Sequence, residues 1–210
     1  MTALNFTREY GLADPLPWAF TATGFVPGED ASVLTGALAR VAGNNVGTYA
    51  IQQGSLSAAN YAIDFTPGTL TIIPAPLTVV ADDDTRVYGD LDPPVFTFDV
   101  TGFRQGDGPS ILTGALVRDP GNDVGLYAIR QGTLSAGGNY SISFANGTFE
   151  ITPAGLQVTA DPLRRLYGDA DPVFTFTTSG LVAGDTTASA LTGALTRDPG
   201  ENVGAYAITQ

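Results

Sequence analysis

The chain has 210 residues and a formal charge of −12, and it contains no Cys, no His and no Lys, so all nine basic side chains are arginines. Without Cys there is no disulfide framework or thiolate, without His no imidazole base or usual zinc ligand, and without Lys no Schiff base. The acidic balance, with nine arginines spread thinly along the chain, argues against a phosphate-binding surface and hence against nucleic acid as a partner.

Taken from its start, Met1-Thr2-Ala3-Leu4 lacks a basic segment followed by an apolar core, so no signal peptide is expected. No run reaches the ~20 apolar residues of a membrane span. A series of short motifs then begins: Arg8-Glu9-Tyr10-Gly11, Asp14-Pro15, the aromatic alternation Trp18/Phe20, Leu34-Thr35-Gly36-Ala37-Leu38, and Val46-Gly47-Thr48-Tyr49-Ala50-Ile51. The whole series restarts at Arg86-Val87-Tyr88-Gly89 and again at Arg165-Leu166-Tyr167-Gly168. The tyrosines lie 78 and 79 residues apart, a period suited to one small domain per repeat.

The register divides the chain into residues 1–75, 76–154 and 155–210. Only the middle copy is complete: the first lacks most of its opening strand and the third its C-terminal hairpin, as in a fragment of a longer array. Period-two alternation in the middle copy predicts strands near Leu77–Ala81, Phe96–Thr101, Ala115–Arg118, Gly125–Gln131, Tyr140–Ala145 and Thr148–Thr152. Asn146-Gly147 is read as a tight hairpin turn, with Pro67-Gly68 at the same place in the first copy. A short helical turn is expected after Asp30, Asp107 and Asp185, stopped by Gly36, Gly114 and Gly193.

The fold class is therefore all-β, in tandem small modules. Two forms fit: an immunoglobulin-like sandwich, favoured because the Gly-x-Tyr-Ala-Ile run has the form of a tyrosine corner, and a β-grasp-like sheet with one short helix. Proline-restricted joints at Ile72-Ile73-Pro74-Ala75-Pro76 and Ile151-Thr152-Pro153-Ala154-Gly155 imply a stiff connection between modules.

The tyrosine-glycine signature followed by Asp-Pro, the Leu-Thr-Gly-Ala-Leu segment and the Gly-x-Tyr-Ala-Ile segment, at this spacing, resemble the MBG domain of the YGX type. The resemblance covers essentially the whole chain. It implies a repeat segment of a bacterial cell-surface or secreted adhesin, with no catalytic residues. The first copy departs from the pattern in carrying Leu12 where Asp90 and Asp169 stand.

Among candidate sites, Asp82, Asp83 and Asp84 form the densest acidic run. Calcium takes six to eight oxygen ligands, so the run is weighed as a calcium site against a solvated loop, and the loop is preferred. No other metal and no cofactor is expected. Tyr10, Tyr88 and Tyr167, with Tyr49, Tyr127 and Tyr206, are read as structural residues, because they recur inside apolar runs, rather than as sugar-stacking platforms. Arg40, Arg118 and Arg197 are read as strand-end residues pairing with carboxylates. The expected function is a structural stalk or spacer, not an enzyme. The alternatives are glycan- or mucin-binding modules, and a polymer subunit assembled by strand exchange. The partners expected are neighbouring modules, then glycans or host surface proteins, then further copies joined through open strand edges.

Overall fold

A computed structural model describes every residue, Met1–Gln210. The protein is almost entirely β, in short strands interrupted only by one-turn helices at Ala31–Val33, Pro109–Ile111 and Thr187–Ala190. Its contacts group it into two compact units that cut across the sequence repeats. One holds Met1–Asp82, Val95–Arg118 and Ile129–Gly147; the other holds Asp83–Pro94, Asp119–Ala128 and Thr148–Gln210.

In the first unit, strand Gly68–Ile73 is central. It lies parallel to Phe6–Glu9, with Phe6 opposite Leu70 and Arg8 opposite Ile72, and antiparallel to Gly47–Gln52, with Tyr49 opposite Leu70. Ala39–Arg40 forms the outer edge. A single residue, Pro74, separates this strand from Ala75–Ala81, the centre of a second sheet. That strand pairs antiparallel with Phe98–Thr101 and parallel with Tyr140–Ala145. Its burial alternates strictly: Ala75, Leu77, Val79 and Ala81 are inside while Pro76, Thr78 and Val80 are outside. This is the period-two pattern of a strand with one face on a core.

The core runs through the Pro74 junction. Ile51, Leu70 and Ile72 from the first repeat share one cluster with Ala75, Leu77 and Tyr140 from the second. A joint that buries apolar surface from both sides is stabilised by the same term that holds a domain together, about 25 cal/mol per Å².

The second unit contains Asp84–Val87, parallel to Gly147–Thr152, with Arg86 opposite Ile151. Two antiparallel pairs, Gln157–Ala160 with Phe176–Ser179 and Thr196–Arg197 with Ile208–Thr209, form the third repeat. The third repeat leaves Leu166, Val173 and Val203 largely exposed, and a cleft of about 790 Å³ is lined in part by Leu166 and Val203.

The all-β modular expectation holds, with three local corrections. Asn146-Gly147 is not a hairpin turn. Tyr140–Ala145 pairs with Ala75–Ala81, whereas Gly147–Thr152 pairs with Asp84–Val87, so the chain passes there from one sheet to another. Glycine is needed because a Cβ at Gly147 would meet the carbonyl oxygens of Ala81 and Asp82, and one at Gly68 those of Ala3 and Leu4. This explains why Gly recurs at the position while Asn and Pro exchange before it. Second, Asp84–Val87 is a strand that alternation does not reveal, since its inward position is an arginine. Third, the turns after Asp107 and Asp185 are capped by Gly108 and Thr186, and only Asp30 serves as an N-cap, accepting from Ser32 N. Asp107 and Asp185 are thereby available for another contact. The parallel pairing of opening and closing strands also departs from the antiparallel sheets of an immunoglobulin sandwich.

Candidate functional site

The signature Arg-x-Tyr-Gly resolves into three separate tasks. The arginine anchors the module. Arg8 is only 7% exposed, and its Nε donates to Asp14 Oδ1 at 2.8 Å. Arg40 Nε donates to the other oxygen of the same carboxylate at 2.6 Å, and its Nη1 donates to the carbonyls of Val41 and Gly43 at 2.8 and 2.7 Å. One aspartate of the Asp-Pro motif thus ties the Phe6–Glu9 strand to the Ala39–Arg40 edge. The third repeat repeats the arrangement: Arg165 and Arg197 each reach Asp171 at 2.8 Å, and both also pair with Glu201. In the second repeat Arg86 Nε reaches Asp92 at 2.7 Å. The strand-end pairing expected for Arg40 and Arg197 is therefore present.

The second tyrosine of each repeat closes its corner. Tyr49 donates to Asn45 O, Tyr127 to Asp123 O and Tyr206 to Asn202 O, each at 2.8 Å. A phenol reaching back to backbone a few residues upstream is the tyrosine-corner device. The rings of Tyr49 and Tyr206 also lie under the guanidinium groups of Arg40 and Arg197, at 5.5 and 5.1 Å.

The signature tyrosine does something different: it leaves its own repeat. Tyr10, 8% exposed, donates to Asp107 Oδ2 at 3.0 Å. The same oxygen accepts from Tyr140 at 2.8 Å, and the two rings meet edge to face at 5.4 Å. Tyr140 is held from behind by Arg104 N, which donates to its hydroxyl at 2.9 Å. Around this centre, Val46 N donates to Asn139 Oδ1 at 2.9 Å, Asn139 Nδ2 to Asn45 Oδ1 at 3.1 Å, and Arg104 faces Glu9 at 3.5 Å. Gly11, at φ +83°, completes the fit, because a Cβ there would strike the Arg104 side chain. The contact recurs one repeat later: Tyr88 donates to Asp185 Oδ1 at 3.3 Å, again 97 residues ahead, and Gly89 faces Val182 as Gly11 faces Arg104. Tyr167, by contrast, is 74% exposed.

The pKa directions follow from this burial. Burial, then the Asp107 carboxylate, push the Tyr10 phenol up. Burial does the same for Tyr140, opposed by the Arg104 amide and assisted by Asp107. Desolvation raises the Asp14 carboxyl, but hydrogen bonds from Arg40 and Arg8 outweigh it and hold it below the usual range. A raised phenol contributes stability fully below the unfolded value near pH 10, lost as pH rises above it. A depressed carboxyl contributes stability above about pH 4, lost as pH falls through its folded value. Denaturant titrations should therefore show stability falling on both sides of a neutral plateau. The Tyr10→Phe variant should show a shallower alkaline fall than the parent.

The acidic run lies elsewhere and is engaged in backbone contacts. Asp83 Oδ1 accepts from Thr148 N at 2.6 Å and Asp84 Oδ1 from Thr85 N at 2.7 Å. No group of three or more acidic side chains converges to hold a metal ion. No helix is long and apolar enough to cross a membrane.

Sequence reasoning missed the partner of Tyr10. The signal was present in the recurrence of an acid 19 residues after the first two signature tyrosines, Glu29 and Asp107, and 18 after the third, Asp185. These acids fit helix caps equally well on local grounds, so only the long-range pairing separates the two roles.

Compared with known protein families, the chain matches the MBG domain (YGX type) three times, over residues 1–71, 77–150 and 156–210. No curated protein and no solved structure matches it.

Proposed function

The chain belongs to the MBG domain (YGX type) family, and from that premise we propose that it is a stalk or spacer segment of an extracellular bacterial adhesin or fibre, and not an enzyme. The observation that carries this reading is the Tyr10–Asp107–Tyr140 joint. A spacer transmits position only if its modules do not swivel freely, and this joint fills the repeat boundary with buried side chains instead of a flexible linker. The tyrosine–aspartate bond of this joint recurs between the next two repeats, from Tyr88 to Asp185. A location at the bacterial surface or in the secreted pool goes with this role.

A glycan-binding role draws less support, because such sites present aromatic faces to solvent. Tyr10 and Tyr140 are buried, the rings of Tyr49 and Tyr206 lie under arginines, and of the six recurring tyrosines Tyr167 alone is largely exposed. Strand exchange is the second alternative, and a mass in solution that rises with concentration would favour it.

Backbone ¹⁵N relaxation across Ile73–Leu77 tests the spacer reading. Order parameters near about 0.85 through Pro74's neighbours are expected, as in the flanking strands. Values under about 0.6 there would mean a hinge, and saturable retention on immobilised glycans or mucin would favour binding modules instead.

A further inference from the structure

Each sheet of three or four strands ends in two edge strands, and five of those six edges are guarded. Glu9 in Phe6–Glu9, Arg40 in Ala39–Arg40, Asp84 in Asp84–Val87, Arg118 in Val117–Arg118 and Asp99 in Phe98–Thr101 put a charge on each, and none of the five exceeds four residues. Short, charged edges are how sheets avoid pairing with another chain. The sixth edge, Tyr140–Ala145, has six residues, no charge and no proline. It belongs to the middle repeat and has Ala75–Ala81 as its one strand neighbour.

The main chain of this edge turns outward at alternate residues. Ala75, opposite Tyr140, donates its N–H to Asn139 O at 3.0 Å. Asn139, Ser141 and Ser143 therefore direct their N–H and C=O groups at Ala75–Ala81, and those of Tyr140, Ile142 and Phe144 point away from it. The side chains agree. Leu77 and Val79 of the central strand are fully buried, whereas Ile142 and Phe144, opposite them on the same inward face, are only half-buried. Ser141, Ser143 and Ala145 face solvent.

We propose that Tyr140–Ala145 pairs antiparallel with the same strand of a second copy, joining two three-stranded sheets into one across a two-fold axis. The strand is self-complementary in the register that its outward groups allow. With Ile142 opposite Ile142 of the second copy, Tyr140 meets Phe144 and Ser141 meets Ser143, so aromatic lies against aromatic on the inner face and hydroxyl against hydroxyl on the outer. A shift of one residue would set the outward groups against groups already bonded to Ala75–Ala81. The contact is isologous and closes at a dimer. Six residues a side fall well short of the roughly 20–30 of a standard interface, so the association is weak and shows at high protein concentration. Each copy carries a charge of −12, so added salt strengthens it by screening repulsion. No strand leaves its own module, which separates this pairing from strand exchange. It does not depend on the spacer reading, which relaxation and glycan retention test separately.

Sedimentation equilibrium on the intact chain at rising concentration provides the test. The weight-average mass is expected to climb, more steeply in raised salt, and to level at two chains. Two double variants probe the register at exposed positions that the fold does not need. One combines Ser141→Asp with Ser143→Asp, as the first repeat carries Asp64 where Ser143 stands; the other combines Ser141→Lys with Ser143→Lys. Like charges then stand directly opposite, so each variant alone should associate at least tenfold more weakly than the parent. An equimolar mixture of the two should restore a one-to-one complex, an outcome that misfolding cannot give. A constant monomer mass into the millimolar range, or a mixture that stays monomeric, would overturn the proposal. Growth past two chains that the charged variants leave unchanged would overturn it in favour of strand exchange.

Discussion

Replacing Asp14 with alanine is expected to destabilise the first compact unit by about 3 kcal/mol, the lower end of what breaking a buried ion pair costs. The reason is the charge left behind. Arg8 has a side chain only 4% exposed and Arg40 one 13% exposed, and both Nε groups point at the same carboxylate. Removing it leaves both guanidinium groups without their carboxylate, and Arg8, on the strand Phe6–Glu9 paired with Gly68–Ile73, is too enclosed to exchange it for water. Asp14 is itself 21% exposed, which keeps the figure at the low end. The third repeat supplies the control. Asp171 is 36% exposed, and Glu201 still pairs with both Arg165 and Arg197 when it is removed, so Asp171→Ala should cost under about 1 kcal/mol. Urea denaturation of the two variants measures the difference, and equal losses would show that burial is not what gives the signature arginine its value.

Tyr10→Ala is expected to cost about 3–5 kcal/mol, the range for deleting a buried aromatic side chain. The loss has two parts that a second substitution separates. Tyr10→Phe keeps the edge-to-face contact with Tyr140 and removes only the hydrogen bond to Asp107, so it should cost about 1–2 kcal/mol. The remainder belongs to the ring. Tyr167→Ala, at the same signature position, should fall within about 0.5 kcal/mol of the parent because that ring is exposed. The three substitutions together distinguish a tyrosine that serves its own repeat from one that serves the next. If the signature tyrosine stabilised its own module, Tyr167→Ala would be costly too.

The repeats, most of the strands and the all-β class were legible in the sequence because each leaves a local mark. Ala75, Leu77, Val79 and Ala81 alternate with outward residues, and the Gly-x-Tyr-Ala-Ile run carries its corner within four residues. What stayed hidden was long-range. Asp84–Val87 has an arginine on its inner face, so it lacks the apolar alternation of a strand and is recognised only through its parallel partner Gly147–Thr152. Asn146-Gly147 carries the residues of a tight turn, but the backbone uses its glycine to pass the carbonyls of Ala81 and Asp82. The bond from Tyr10 to Asp107 spans 97 residues, and nothing local distinguishes an acid that caps a helix from one that receives two phenols. The compact units differ from the repeats for the same reason: the sequence copies a covalent period, whereas burial follows the contacts made across Pro74.

Those contacts carry the central claim, that the boundary between the first two repeats is the interior of one cooperative unit. Native-state hydrogen exchange along a denaturant series measures this directly. Amides of Gly68–Ile73 and of Ala75–Ala81 lie in central strands of two sheets that share one core, so they should open together, with free energies within about 0.5 kcal/mol and a common denaturant slope. Two families with different free energies and slopes, divided at Pro74, would mean that the repeats open independently and that the tyrosine joint does not bind them.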